Sequence, residues 1–246
     1  MDIYNETIVS AFLTNINNNR NPEIYIEYGK NLLKLKIPKV IFIEEFIYNT
    51  YLKNEEYNFT KFVFFKKEEM YYYSFLDKID HTNIETSNKN KDTIEYMMVQ
   101  CYKTEWVKMA IDMNFFNTDQ FIWIDFGIYH IFENNKELFN VCMDSLKERN
   151  FNKIRIACGC LSPYYLNNKT DIYPRIIWCF LGGIFGGSSN VLLKFGDLMK
   201  KKCMYLINDY KILPWEVNIW YLIYFDCPDI FDYYIGDHDF SMILKY

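Results

Sequence analysis

The run Phe121, Ile122, Trp123, Ile124 is wholly apolar and closes on Asp125. Such a run suits a central strand covered on both faces, because each side of the pleat then meets apolar cover. A carboxylate placed directly after a buried strand is delivered to the C-terminal edge of the sheet. Open α/β sheets hold their ligands there, and Gly127 permits a sharp turn beside it. Two readings of Asp125 stand at this level: a cap on the turn leading to Ile128, or a site residue.

The rest of the chain supplies the sheet. Residues 7–13 (TIVSAFL) predict a first buried strand, and Pro22 opens a helical pattern through Ile24, Tyr28, Leu32 and Leu35. Apolar runs after Pro38 (KVIFIEE) and over 61–65 (KFVFF) predict two further strands, with helix-compatible residues between and after them. Strands alternating with helices imply parallel crossover connections, hence an α/β fold with a mostly parallel sheet covered by helices on both faces. With 246 residues, 50% of them hydrophobic, the chain is expected to form a single domain over 1–246. The polar run at 77–92 is expected to be a flexible surface loop and a candidate lid, with His81 solvated inside it.

Asp92 or Thr93 is placed to cap a helix running to about residue 112, on which Tyr96, Gln100, Lys103 and Val107 share one face. Lys103 either snorkels to solvent or reaches a diphosphate at the sheet's edge. A helix over 136–149 and a strand over 153–158 follow, then the glycine-rich RIIWCFLGGIFGG (175–187) and a long helix capped by Ser188. Pro214 opens one more helix, in which Glu216 and Asn218 stand out as polar groups in an apolar stretch. The four glycines do not fit GxGxxG and there is no GK[ST], so neither a dinucleotide fingerprint nor a P-loop is supported.

Composition narrows the partners. A net charge of −5, with Lys and Arg scattered along the chain, argues against nucleic acid and against electrostatic membrane anchoring. Seven cysteines, an odd number spread over apolar segments, are expected to be thiols in a reducing compartment. Cys158 and Cys160 have CxC spacing without a second metal-binding pair, so zinc is not expected. The N-terminus carries no basic leader with an apolar core, and no apolar run approaches the roughly 18 to 20 residues of a membrane span. A cytoplasmic protein is therefore expected, and the excess of Asn, Lys, Ile and Tyr points to an AT-rich genome, viral ones included.

Taken together, several stretches resemble the WlaTC/HtrL (YibB-like) family of glycosyltransferases over most of the chain. They are VSAF with the following Arg20, the KDT…Y…Q..K helix of 91–103, FIWIDFGI, LGGIFGG, WEVNIW and YIGDHDFSMI. The resemblance implies a GT-A type, Rossmann-like fold. It also implies transfer of a sugar from a nucleoside-diphosphate donor to a hydroxyl on a glycan, lipid-linked or protein-borne acceptor. In such enzymes the central strand ends in a DxD motif that binds a divalent cation, and Asp125 and His238 match the metal roles, implying Mn or Mg. Gly127 stands where the second Asp would fall, so a metal completed by water and substrate phosphates and no metal at all both remain open.

By the same resemblance, Ser10, Ala11 and Phe12 hold the donor base and ribose, and Arg20 and Lys103 its phosphates. Gly182, Gly183, Gly186 and Gly187 bring backbone against the transferred sugar. Glu216 is either a general base or sugar anchor, or a capping carboxylate in a first helical turn. Asp237 and Asp239 are expected to orient His238. The departure at Gly127 also motivates a competing class, a catalytically silent relative that binds sugar nucleotides or glycans. An aromatic content of 20% suggests a third, a structural or host-interaction protein.

Overall fold

The structure, a computed structural model, describes residues 5–14, 21–80, 82, 84–147 and 149–246. The first half alternates as its periodicity predicts. Strand β1 (Glu6–Phe12) leads to helix α1 (Pro22–Leu33), then to β2 (Lys39–Ile43) and β3 (Thr60–Phe64). Helix α1 starts where it does because Asn21 accepts the Glu23 amide and Pro22 has no amide to leave unpaired. The helix predicted from 92 or 93 is capped by Thr93, whose side chain accepts from the Tyr96 amide. It runs as α2 (Ile94–Cys101) and α3 (Lys103–Met113), with a one-residue hitch at Tyr102, and ends on Asn114 in the left-handed region.

Strand β4 (Gln120–Ile124) is the buried run. After it come α4 (Lys136–Asp144), β5 (Ile154–Cys158), β6 (Phe180–Ser188), α5 (Ser189–Tyr205), α6 (Glu216–Asp226) and β7 (Phe231–Ile235). Ser188 holds the capping position of α5, although its side chain makes no capping bond.

Among the described residues seven strands lie in one sheet, ordered β3-β2-β1-β4-β6-β5-β7. Every neighbouring pair is parallel except those involving β6, which is antiparallel to both β4 and β5. Period-two alternation along β4 splits the core. Phe121 and Trp123 face α2, α3, α5 and α6, packing with Trp106, Phe195 and Trp220. Ile122 and Ile124 face the other layer, with Leu32 of α1, Phe139 of α4 and Met242 near the C-terminus. Helices therefore cover both faces, which is why β4 tolerates no polar residue between Gln120 and Asp125.

The chain leaves β1 for β2 and β3 on one side and places β4 on the other, so the strand order reverses between β1 and β4. In open α/β sheets the crevice beyond such a reversal is the ligand position. Because β6 runs backwards, it is its first residues, not its last, that reach that edge: Ile184 pairs with Ile124, and the Asp125 amide donates to the Gly183 carbonyl at 3.0 Å.

The 77–92 segment is more closely tied to the body than its composition suggests. Ile79 and Ile84 are buried, the Asp80 amide donates to Lys211 O at 2.6 Å, and the Glu85 amide donates to Pro174 O at 2.5 Å. Two apolar anchors spaced within a polar run are enough to seat it. His81 lies outside the described residues. No helix among the described residues is long and apolar enough to cross a membrane.

Half of the glycine-rich stretch serves the sheet. A Cβ on Gly186 would stand 2.6 Å from Phe121 O and 3.1 Å from Ile122 Cα, inside β4. Gly186→Val is therefore expected to destabilise the protein by about 1 to 3 kcal/mol through overpacking, as read by urea unfolding. An unchanged midpoint would mean that β6 can move away from β4.

Candidate functional site

A cavity of about 410 Å³ opens at the sheet edge between β1 and β4, within the roughly 300 to 1,000 Å³ of small-ligand pockets. Ala11 and Phe12 end β1 on one side of it, Asp125 stands at the end of β4, and Gly182 and Gly183 begin β6. The segment after β7 adds His238, and the first turn of α6 adds Glu216. Every strand end that meets here does so because of strand direction: β1, β4, β5 and β7 finish at this edge, and β6 starts at it.

At the base of the cavity is a buried ion cluster. The Lys103 ammonium lies 2.9 Å from Asp125 Oδ1, 2.9 Å from Glu216 Oε1 and 3.0 Å from Gly182 O. Three acceptors match the three protons of an ammonium group. The Lys103 side chain is 3% exposed and that of Glu216 6%, whereas that of Asp125 is 39% exposed. Burial works against the charged lysine, but the carboxylates of Asp125 and Glu216 outweigh it and hold its pKa above the ordinary lysine value. Lys103 is therefore a cation at all physiological pH. Trp123 completes the arrangement by donating its indole N–H to Asp125 Oδ1 at 2.8 Å, which leaves Oδ2 as the carboxylate oxygen free of bonds to described residues.

Gly182 makes this cluster possible. A Cβ there would collide with the Glu216 carboxylate and stand 3.3 Å from Lys103 Nζ. Gly127, at the position of the missing second aspartate, has a similar reason: a side chain would run into the Tyr25 ring at 2.6 Å.

Several expected site residues are not where the sequence put them. Ser10 is fully buried within β1 and does not line the cavity. Gly186 and Gly187 sit toward the far end of β6, paired with Ile122 and Phe121, so of the four glycines Gly182 and Gly183 alone line the cavity. Arg20 lies outside the described residues. Lys103 lines the cavity, yet its protons are committed to protein acceptors, so it is not a free phosphate cation. Glu216 does not cap α6, because its carboxylate turns to Lys103 instead of the helix amides. Asp237 and Asp239 accept from the backbone amides of His238 and Ser241, not from the His238 ring.

Other lining residues escape sequence reasoning. His130, on a short helical turn after β4, has Nδ1 2.7 Å from Gly127 O, and its ring centroid lies 5.9 Å from that of His238. With the proton on Nδ1 the ring donates that bond and leaves Nε2 free. The signal was a lone histidine in FGIYHIF, but nothing local separates it from a surface residue. Trp178 reaches the rim 52% exposed, whereas the other four tryptophans are buried. The loop carrying it is pinned by fully buried Asn218, which accepts the Ile177 amide at 2.8 Å and donates to Ile172 O and Arg175 O at 2.7 and 2.8 Å. This is the reason for the second polar residue of α6.

Removing one member of a buried ion pair leaves a charge without compensation. Glu216→Ala is expected to cost about 3 kcal/mol or more in urea unfolding, while Glu216→Gln, which keeps a hydrogen-bond acceptor, costs less. Equal, small losses for both would mean that Lys103 swings out to solvent.

Over residues 5–243 the chain matches the model of a family described as a bacterial protein of unknown function (HtrL_YibB). No curated protein matches it. Among solved structures, that of 4-diphosphocytidyl-2C-methyl-D-erythritol synthase from Anaerococcus prevotii is similar, at 10% identity and a TM-score of 0.46. That similarity covers 99% of this chain and 92% of the other.

Proposed function

The chain belongs to the HtrL/YibB family, and we propose that it is a GT-A type glycosyltransferase, moving a sugar from a nucleoside-diphosphate donor to a hydroxyl of a glycan-type acceptor. The observation that carries this reading is a half-exposed carboxylate, Asp125, fixed by a buried cation at the switch-point edge of an α/β sheet.

In this reading Ala11 and Phe12 border the donor's base and ribose, and Gly182 and Gly183 let backbone approach the transferred sugar. The acceptor oxygen attacks the anomeric carbon, the bond from that carbon to the diphosphate breaks, and the hydroxyl proton passes to Asp125. Of the two acidic residues Asp125 suits the role better, because Oδ2 is uncommitted and the side chain faces the cavity. Glu216 is a positioning residue: it fixes Lys103, which fixes Asp125.

The resemblance also implies Mn or Mg, to be held by Asp125 and His238. The residues present do not fit a hard divalent ion. Asp125 Oδ1 is shared by Lys103 and Trp123, which leaves Oδ2 as its one open oxygen, the second carboxylate of DxD is replaced by Gly127, and His238 offers an imidazole. Among the described residues no group of three or more His, Cys, Asp or Glu is placed to hold a metal.

A second reading, a silent relative that binds sugar nucleotides without transferring them, is favoured by the Tyr25 ring filling the place of the second acid. A thermal-shift screen of nucleotide sugars followed by donor-hydrolysis assays separates the two. Binding with turnover supports transfer, binding without turnover supports the silent relative, and no binding removes both. In the active case Asp125→Asn is expected to stay folded and lose at least about a hundredfold in turnover. Full activity in that variant would take Asp125 out of the chemistry.

A further inference from the structure

We infer that the Lys103 ammonium is the resident cation of this cleft, seated between Asp125 and Glu216 and holding the Asp125 carboxylate that a divalent ion would also have to use. Three features make it a fixture. It meets both carboxylates at 2.9 Å and the Gly182 carbonyl at 3.0 Å, so its proton donors are all used. It is almost wholly removed from water, so no solvent exchange frees it. Its partners come from the end of β4, the start of β6 and the first turn of α6, elements set by the sheet and its covering layer.

A metal bound to Asp125 would have to share its carboxylate with this ammonium or expel it from three buried acceptors. Mutual repulsion of two cations at contact distance disfavours joint occupancy. One of the two negative charges is thus offset in advance, and the side chain of Asp125 is held in one orientation before any ligand arrives. A corollary rests on the glycosyltransferase reading. The donor diphosphate binds without a metal and is met by His130 and His238 and by Lys91, whose ammonium, 3.2 Å from Asp92 Oδ1, lines the cavity from its other side.

The test uses Mn²⁺ alone as its first probe. Calorimetric titration of the wild-type chain with Mn²⁺ is expected to show no binding that Asp125→Asn removes. Lys103→Ala, which leaves the two carboxylates facing an emptied space, is expected to gain roughly tenfold or more in Mn²⁺ affinity, and adding Asp125→Asn to it should abolish the gain. Wild-type Mn²⁺ binding that disappears in Asp125→Asn would overturn the proposal, and so would a folded Lys103→Ala protein that gains none. If Lys103→Ala does not fold, the comparison of wild type with Asp125→Asn decides by itself.

The second probe is a panel of nucleoside diphosphates titrated in Mn²⁺ and in chelator. Equal affinities support the corollary, and affinity roughly tenfold higher in Mn²⁺ overturns it. Absence of nucleoside-diphosphate binding in both conditions would remove the glycosyltransferase reading, while the Mn²⁺ titration would still decide the place of Lys103.

Discussion

A buried ammonium group must find all its acceptors within the protein, and the site is built around how Lys103 finds them. Its stem rises from the first turn of α3, and its head reaches the end of β4, the start of β6 and the first turn of α6. These elements are far apart in the chain, with Lys103 and Glu216 separated by 113 positions. The cost of desolvating Lys103 and Glu216 is met only while all the partners are in place, so the cluster penalises any shift of α6 against the sheet. Rigidity at Asp125 is therefore a property of the whole layer, and not of the loop on which it stands.

Helix α6 carries this logic further. Its residues from Glu216 to Ile223 are all buried, and the two polar ones among them work in different directions. Glu216 serves the cavity base through Lys103, and Asn218, two positions on, serves the rim through the backbone of the loop that presents Trp178. An apolar helix with two such polar contacts couples base and rim as one body. Reorientation of the helix's first turn breaks buried hydrogen bonds at base and rim at once.

What the sequence disclosed follows from how local each signal is. The strand–helix alternation, the Pro22 and Thr93 starts and the buried run ending at Asp125 depend on neighbours a few residues away, and the structure has them as expected. The direction of β6 was not legible, because glycines at 182, 183, 186 and 187 erase the period-two pattern that would have marked a strand. For the same reason the glycines could not be divided between ligand and sheet. Pairings such as Lys103 with Glu216, or Asn218 with the Trp178 loop, are set by tertiary placement, and a single sequence shows only that a polar residue stands in an apolar run. Ser10 was misplaced by the difference of one position between the interior of β1 and its end.

The reversed β6 has one more effect. Since β5 ends and β6 begins at the same edge as adjacent antiparallel strands, residues 159–179 form a long hairpin connection whose Ile176 and Trp178 line the cavity. Its stem is closed where the Gly159 amide donates to Cys179 O at 3.1 Å. Closing a loop on a fixed stem costs little more as the loop lengthens. Length can therefore be added between Ser162 and Ile172, clear of the Tyr221 and Asn218 contacts that tie the rim to α6, while the charge cluster at the base stays as it is.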